Sequence, residues 1–271
     1  MHRFALFIDG SNLHGSLRAM NLQVSDYEAF YSYLYRLARQ EWHRVTLQEA
    51  PAPAQLRRVY WYEVGSMDEW DLALPQSQAA LRDAFKRDKA THDLWMQAVC
   101  RAENGLTPSA AEDKAWDACF SDFRAWYETK RTSLASMRRF HQGVRNSTDL
   151  IDVIEAGHWK VDFVRKALSE KGLDTSLAVD MVALQDGYDV AVIVSGDADS
   201  IPSITYMKGR NKHVAAVEFV NGSPPEQKGR SFSSRLRDHA DFVIRVYETE
   251  LIRLKLAARP SKVGLSSELG D

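Results

Sequence analysis

The sequence predicts an α/β fold, an open parallel sheet flanked by helices, and two stretches carry that expectation. Residues 190–194, VAVIV, are apolar and mostly β-branched, as a strand buried on both faces must be. Residues 4–8, FALFI, are a second run of the same kind. Both stop in acids. The first leads into Ser195-Gly196-Asp197-Ala198-Asp199 and the second into Asp9-Gly10-Ser11-Asn12. In open parallel sheets, residues just past the carboxyl ends of the strands line the ligand crevice.

The remaining elements follow in order. After Asp9 the pattern turns helical, with Asp9, Ser11 or Asn12 as candidate caps. A longer helix carries Tyr27, Phe30, Tyr31, Leu34 and Leu37, and Pro51 and Pro53 end it. Residues 57–64 read as the second strand, so strand, helix and strand make a right-handed parallel crossover. Residues 66–145 break the rhythm and read as two long helices, 76–103 and 110–141, around Asn104-Gly105. Trp70, Trp95, Trp116 and Trp126 lie there and are expected to form the core of a helical hairpin. A short third strand at a sheet edge is expected at 150–154, then a helix from 158 broken at Gly172. A second helix opens at Asp174, with Leu177, Met181 and Leu184 on one face. Beyond the 190–194 strand come a helix (201–210), a strand (213–219), a short helix (231–239), a strand (242–246) and a helical stretch (247–258). The small, polar end of the chain reads as a disordered tail.

Composition narrows the function classes. With 45% hydrophobic and 27% charged residues and a net charge of −2, the chain has a globular make-up and no overall basic field, so any nucleic-acid contact must use local patches. One such patch is 124–145, where Arg124, Lys130, Arg131, Arg138, Arg139 and Arg145 face Glu128 alone, interleaved with Trp126, Tyr127, Phe140 and His141. Two cysteines are too few for a disulfide framework. The first apolar run meets Asp9 at once, which argues against a secretory signal. No run has the ~20 apolar residues of a membrane span. A cytoplasmic protein with no membrane partner is expected.

Asp9, Asp174, Asp197 and Asp199 are the candidate catalytic set. Taken singly, each suits a helix cap. Taken together, two acids after one buried strand and another after its neighbour form a cluster that would repel itself unless a cation sat among them. Oxygen-rich sites select Mg²⁺ or Mn²⁺, and such an ion supports phosphodiester hydrolysis. Asp180 lies six residues after Asp174, about 120° away round a helix, and is a supporting residue or a surface one. No G-x-G-x-x-G follows a strand and no G-x-x-x-x-G-K-[ST] occurs, so dinucleotide binding and a P-loop have no support.

The pieces FIDGSNLHG (7–15), VYWYE (59–63), KGLDTSLAVDMV (171–182), VAVIVSGDADSIPSI (190–204) and SSRLRDHADFVIRV (233–246) together resemble the NYN domains of the PIN-like nuclease superfamily, in the LabA-like branch. The resemblance implies a sheet of order 3-2-1-4-5 and a Mg²⁺- or Mn²⁺-dependent endoribonuclease, with Asp9, Asp174, Asp197 and Asp199 as metal ligands. It implies that Asn12 supports Asp9 or the substrate and that Ser195 is the hydroxyl before the Gly-Asp turn. The branch usually has an aromatic where Ser200 stands, which puts the orientation of Asp199 in question. On this reading residues 1–65 and 146–258 form one discontinuous nuclease domain, 66–145 a helical insertion and 259–271 the tail. RNA is the expected partner, with Arg131, Arg138 and Arg139 as substrate contacts, and the insertion would dock a second copy or a protein. The alternative is a PIN-like module that binds RNA or protein without cutting it.

Overall fold

A computed structural model describes residues 1–47, 52–196, 198–225 and 233–260. In chain order the elements are β1 (His2–Asp9), α1 (Gly10–Ala19), β2 (Gln23–Val24), α2 (Tyr27–Val45), β3 (Ala54–Met67), α3 (Pro75–Arg87), α4 (Lys89–Ala102), α5 (Pro108–Ser147), β4 (Ile151–Asp162), β5 (Ala167–Lys171) and α6 (Leu173–Ala183). They continue with β6 (Val190–Val194), α7 (Ile201–Gly209), β7 (His213–Val220), α8 (Ser234–His239), β8 (Phe242–Tyr247), α9 (Glu248–Arg253) and β9 (Ala257–Ala258). No helix among the described residues is long and apolar enough to cross a membrane.

The main sheet has seven strands in the order β5-β4-β3-β1-β6-β7-β8. β1 runs parallel to β3 and β6, and β6-β7 and β7-β8 are parallel too. The bonds Val59 N–H to Leu150 O and Asp68 N–H to Trp159 O advance together along both chains, so β3 and β4 are also parallel. The strands expected at 4–8, 57–64, 150–154, 190–194 and 213–219 keep the implied 3-2-1-4-5 order. The sheet extends beyond that order at its edges, with β8, the strand expected at 242–246, on one side and the unexpected β5 on the other.

The chain divides into two compact units. One comprises Met1–Glu63, Phe140–Gly157 and Gly172–Asp271; the other comprises Val64–Arg139 and His158–Lys171. In the first unit Phe4, Leu6, Ile8, Val190, Val192 and Val194 form one face of the sheet's core with α2. Asp26 caps α2 by accepting from the Ala29 N–H, and its buried stripe Phe30, Leu34, Ala38 and Trp42 recurs every fourth residue. Each such large apolar side chain contributes about 1.5–3 kcal/mol on burial. The opposite face carries Ala5, Phe7, Ala191 and Ile193, and α6 packs against β1 there. Leu173, Leu177 and Met181 are the residues of α6 that are buried. In the second unit the core is aromatic. Phe123 lies 4.3 Å from Phe163 between ring centroids, Trp70 4.4 Å from Phe163, and Phe85 and Trp116 pack beside each other.

Several local expectations are overturned. The helix expected from 158 is instead a hairpin, β4 pairing antiparallel with β5 from His158↔Lys171 to Asp162↔Ala167. Phe163, Val164, Ala167 and Leu168 have helical spacing, but Lys166 adopts a left-handed φ of 48° in the turn that reverses the chain. The third strand is neither short nor at an edge, since β4 spans twelve residues and β5 lies outside it. The long helix expected at 76–103 is two, because Asp88 takes ψ 89° and caps α4 by accepting from Thr91 N–H. The last helical stretch ends at Arg253; Lys255 has φ 56° and Ala257–Ala258 pairs with Gln23–Val24. Pro51, part of the 231–239 stretch and the tail from 261 lie outside the described residues.

Candidate active site

Strand register builds the floor of the site. Asp9 on β1 is paired with Tyr62 on β3, and Glu218 on β7 with Arg245 on β8. Between them, Ile8 pairs with Val194 and Ile193 with Ala216, so the same registers carried on bring Ser195 beside Asp9 and Glu218 beside Ser195. Ile8, Trp61, Val194, Val217 and Ile244 all belong to the α2-facing core, so the residue next to each points to the other face. Tyr62, Asp9, Ser195, Glu218 and Arg245 therefore form one polar row across five strands, on the face covered by α6 and α7, near the carboxyl ends of the strands.

Asp9 is 2% exposed. It ends β1 and caps α1, one oxygen accepting from the Asn12 backbone N–H at 3.0 Å and the other from the Asn12 side-chain amide. Asn12 thus fixes the carboxylate through both its oxygens. Tyr62 donates to Asp180 Oδ2 at 3.0 Å, and burial first, then the Asp180 charge, push the Tyr62 hydroxyl pKa far up. At the other end Glu218, 1% exposed, accepts from Arg237 at 2.9 Å and from Arg245 at 3.2 Å. Ser195 is buried.

The other expected acids sit differently. Asp174 is exposed in the first turn of α6, where the helix terminus favours a carboxylate, but it does not cap that helix; Gly172 holds the cap position with φ 90°. Asp199 is exposed in the 3₁₀ turn Ala198–Ser200, which packs against α6 and α8. Ser200, where the aromatic was expected, is buried and occupies the cap position of α7. Asp197 lies outside the described residues and follows Gly196 in the chain. Among the described residues no three His, Cys, Asp or Glu side chains are gathered to hold a metal ion. Asp180 is the Tyr62 partner rather than a free surface acid. Arg131 pairs with Glu128 on α5 and Arg139 with Ser136; both, with Arg138, belong to the other compact unit.

A second cluster, around Glu63, was not expected from the sequence. Glu63, 3% exposed, lies on the α2-facing side, and its Oε1 accepts from His14 Nε2 at 2.9 Å. A Cβ on Gly10 would stand 2.3 Å from Glu63 Oε1 and 2.7 Å from the Tyr62 carbonyl oxygen, so any side chain there forces its neighbours to shift. His141, fully buried, has Nε2 at 3.9 Å from Glu63 and Nδ1 at 3.9 Å from Glu155, and neither ring nitrogen has a hydrogen-bond partner among the described residues. Burial lowers its pKa against the pull of those two carboxylates. The signal for Glu63 was present, an acid directly after the buried run VYWY, as Asp9 follows FALFI. His141 was read as part of the basic stretch that could track a phosphate backbone, and nothing local marks its burial.

Comparison with known proteins adds a family match over part of the chain. Residues 122–246 match the family model of the NYN domain, and NYN domains belong to the PIN-like nuclease superfamily, whose members usually use divalent metal ions. The matched stretch contains Asp174, Asp180, Ser195, Asp199 and Glu218 but begins after Asp9. No curated protein matches the chain. One similar solved structure is that of a protein of unknown function from Vibrio parahaemolyticus, 17% identical over 90% of this chain and 93% of that one, with a TM-score of 0.42.

Proposed function

Taking the chain as the carrier of an NYN domain over residues 122–246, we propose that it is a metal-dependent ribonuclease that hydrolyses internal phosphodiester bonds. One observation supports this most: a buried, pre-oriented carboxylate, Asp9, stands beside Ser195 at the point where β6 leads into Gly196-Asp197-Ala198-Asp199. The donor set fits a hard cation. It is made of carboxylate oxygens, and the two Asn12 bonds already hold Asp9 in place with neutral donors. Asp9 and Asp197 would hold Mg²⁺ or Mn²⁺, with Asp174 and Asp199 from α6 and the 3₁₀ turn. The bound ion would supply Lewis acidity and neutralise charge at the phosphodiester. Asn12 keeps Asp9 from rotating away, and Tyr62 with Asp180 closes that end of the row against water. Arg131, Arg138 and Arg139 would contact the RNA backbone from α5.

The competing reading is a module of the same fold that binds RNA or protein without cutting. The exposure of Asp174 and Asp199 favours it. Incubating the purified protein with end-labelled RNA and DNA, in Mg²⁺, Mn²⁺ or chelator, separates the two. RNA fragments that appear with either ion, vanish with chelator and are lost in Asp9→Asn support the nuclease. RNA retained intact by the wild type under every condition supports the binding module.

A further inference from the structure

In the second compact unit, three side chains that the nuclease reading leaves idle form a chain of hydrogen bonds. Ser66 lies near the end of β3 and Asp68 just past it, so the two project to one side while Met67 between them is buried. His158, on the neighbouring strand β4, reaches both. Its Nδ1 lies 2.9 Å from Ser66 Oγ and its Nε2 2.8 Å from Asp68 Oδ1. A carboxylate only accepts, so Nε2 carries the ring proton, Nδ1 keeps a lone pair, and the Ser66 hydroxyl donates to it. Asp68 is itself fixed. Its Oδ2 accepts from the Val161 N–H at 2.9 Å, its backbone N–H donates to Trp159 O, and its carbonyl accepts from Tyr127. The His158 bond, above all, holds its carboxyl below the usual carboxylate range. Ser66 is exposed and the His158 side chain is 41% exposed, so a ligand reaches both. Register adds a cation. His158 pairs with Lys171 on β5, which puts the Lys171 side chain on the same face beside the imidazole.

A hydroxyl, a base and an orienting acid, each within hydrogen-bond reach of the next, are the arrangement that activates a serine nucleophile. We propose that Ser66 is the nucleophile of a second site, separate from the acidic row, that hydrolyses small carboxylic esters. Ser66 Oγ attacks the ester carbonyl carbon while His158 Nδ1 takes its proton. The tetrahedral adduct collapses, the bond to the leaving oxygen breaks, and His158 gives its proton to the departing alcohol. Water then attacks the acylated Ser66 and passes a proton to His158. The bond from the acyl carbon to Oγ breaks, the acid leaves, and that proton returns to Oγ. Asp68 is a positioning residue, which keeps the ring in the tautomer able to accept from Ser66 and offsets the charge the ring gains. Lys171 supplies positive potential for the carbonyl oxygen as it becomes negative. An exposed serine on a sheet face suits a short acyl group, which needs no groove to hold it.

The test uses the full chain with p-nitrophenyl acetate, following p-nitrophenolate release and the intact protein mass together. The wild type should turn over repeatedly and, quenched early, carry one acetyl group that peptide mapping puts on Ser66. Ser66→Ala, purified in parallel, should lose the adduct and release p-nitrophenolate no faster than heat-unfolded protein. His158→Gln should slow acylation about 10²-fold or more, the worth of a general base. In Asp68→Asn the amide oxygen stays on the Val161 N–H, so its NH₂ faces His158 Nε2 and moves the ring proton to Nδ1. Acylation should again fall by about 10²-fold or more. Ring-nitrogen NMR should show the change of tautomer, which loss of a strand contact alone would not produce. Lys171→Met should cost about tenfold or less, because an exposed cation is screened. Thermal melts report folding, and if His158→Gln or Asp68→Asn does not fold, Ser66→Ala with the mapped adduct decides. Acetylation confined to other residues, a Ser66 adduct that forms as fast in folded His158→Gln, or an adduct that is never turned over each overturns the proposal. RNA cleavage is read separately, so the nuclease stands or falls apart from this site.

Discussion

At the same edge of the same sheet, the two faces hold a buried carboxylate in different ways. On the α6 side both oxygens of Asp9 accept from Asn12, three residues along the chain. On the α2 side Glu63 meets His14 from α1, the Cα of Gly10, and a buried His141 that approaches no closer than 3.9 Å. The first arrangement is local and uses neutral donors. The second is assembled from three distant segments around a buried carboxylate. In the proposed nuclease it is the first of these two acids whose charge would serve the cation.

The sharpest way to break this contrast is to change the acids in turn. Asp9→Asn keeps the shape but removes the charge and one of the two acceptors that Asn12 uses, so cleavage of labelled RNA should fall by about 10²–10³-fold while stability drops by only about 1 kcal/mol, the worth of one hydrogen bond. If Glu63→Gln costs as much activity as Asp9→Asn, the two faces do the same work and the contrast fails. Next comes the turn between them. Gly10→Ala places a methyl group against Glu63 and should cost about 1–3 kcal/mol in urea unfolding. Adding Glu63→Ala should return only part of that, because the Tyr62 carbonyl oxygen also lies 2.7 Å from the new Cβ. Full recovery would show that Glu63 alone dictates the glycine.

His141 sharpens the α2 side. Its folded-state pKa lies below the unfolded value, so the unfolded chain binds the extra proton. The stabilisation is complete above about pH 6.5 and is lost as pH falls below it, with a slope of at most about 1.4 kcal/mol per pH unit. Urea unfolding of wild type and His141→Phe at pH 7.5, 6.5 and 5.5 should show the wild type weakening more steeply. Parallel curves would mean that Glu63 and Glu155 offset the burial. The smallest effect is expected at the Tyr62 end of the row. Asp180→Asn keeps a hydrogen-bond acceptor for Tyr62, so stability should drop by about 1 kcal/mol or less and cleavage far less than in Asp9→Asn. Equal loss in both variants would put Asp180 among the groups that hold the cation.

Much of the fold was legible because its signals are short-range. FALFI and VAVIV announce strands buried on both faces, the FIDGSN turn announces a cap, and the fourfold stripe of α2 announces a helix laid on a sheet. The misreadings have separate causes. Phe163, Val164, Ala167 and Leu168 have helical spacing but sit in and beside a hairpin turn, where pairing with β4 outweighs local propensity. Asp88 divides a continuous amphipathic stretch at a point where only its backbone shows the break. Asp174 looked like a cap because it follows Gly172-Leu173, and it became the second residue of α6 because the glycine took the left-handed position.

The sequence by itself determined the fold class, the strands that carry Asp9 and Ser195, and the local cap that pins Asp9, since each depends on residues within a few positions of one another. Only the tertiary structure decided that Tyr62, Asp9, Ser195, Glu218 and Arg245 share one row and that Glu63, His14 and His141 share the opposite side. Register is the reason. Side chains alternate between faces along a strand, so a one-residue slip in any pairing would send a member of the row to the other face, and that pairing is set by packing across the whole sheet.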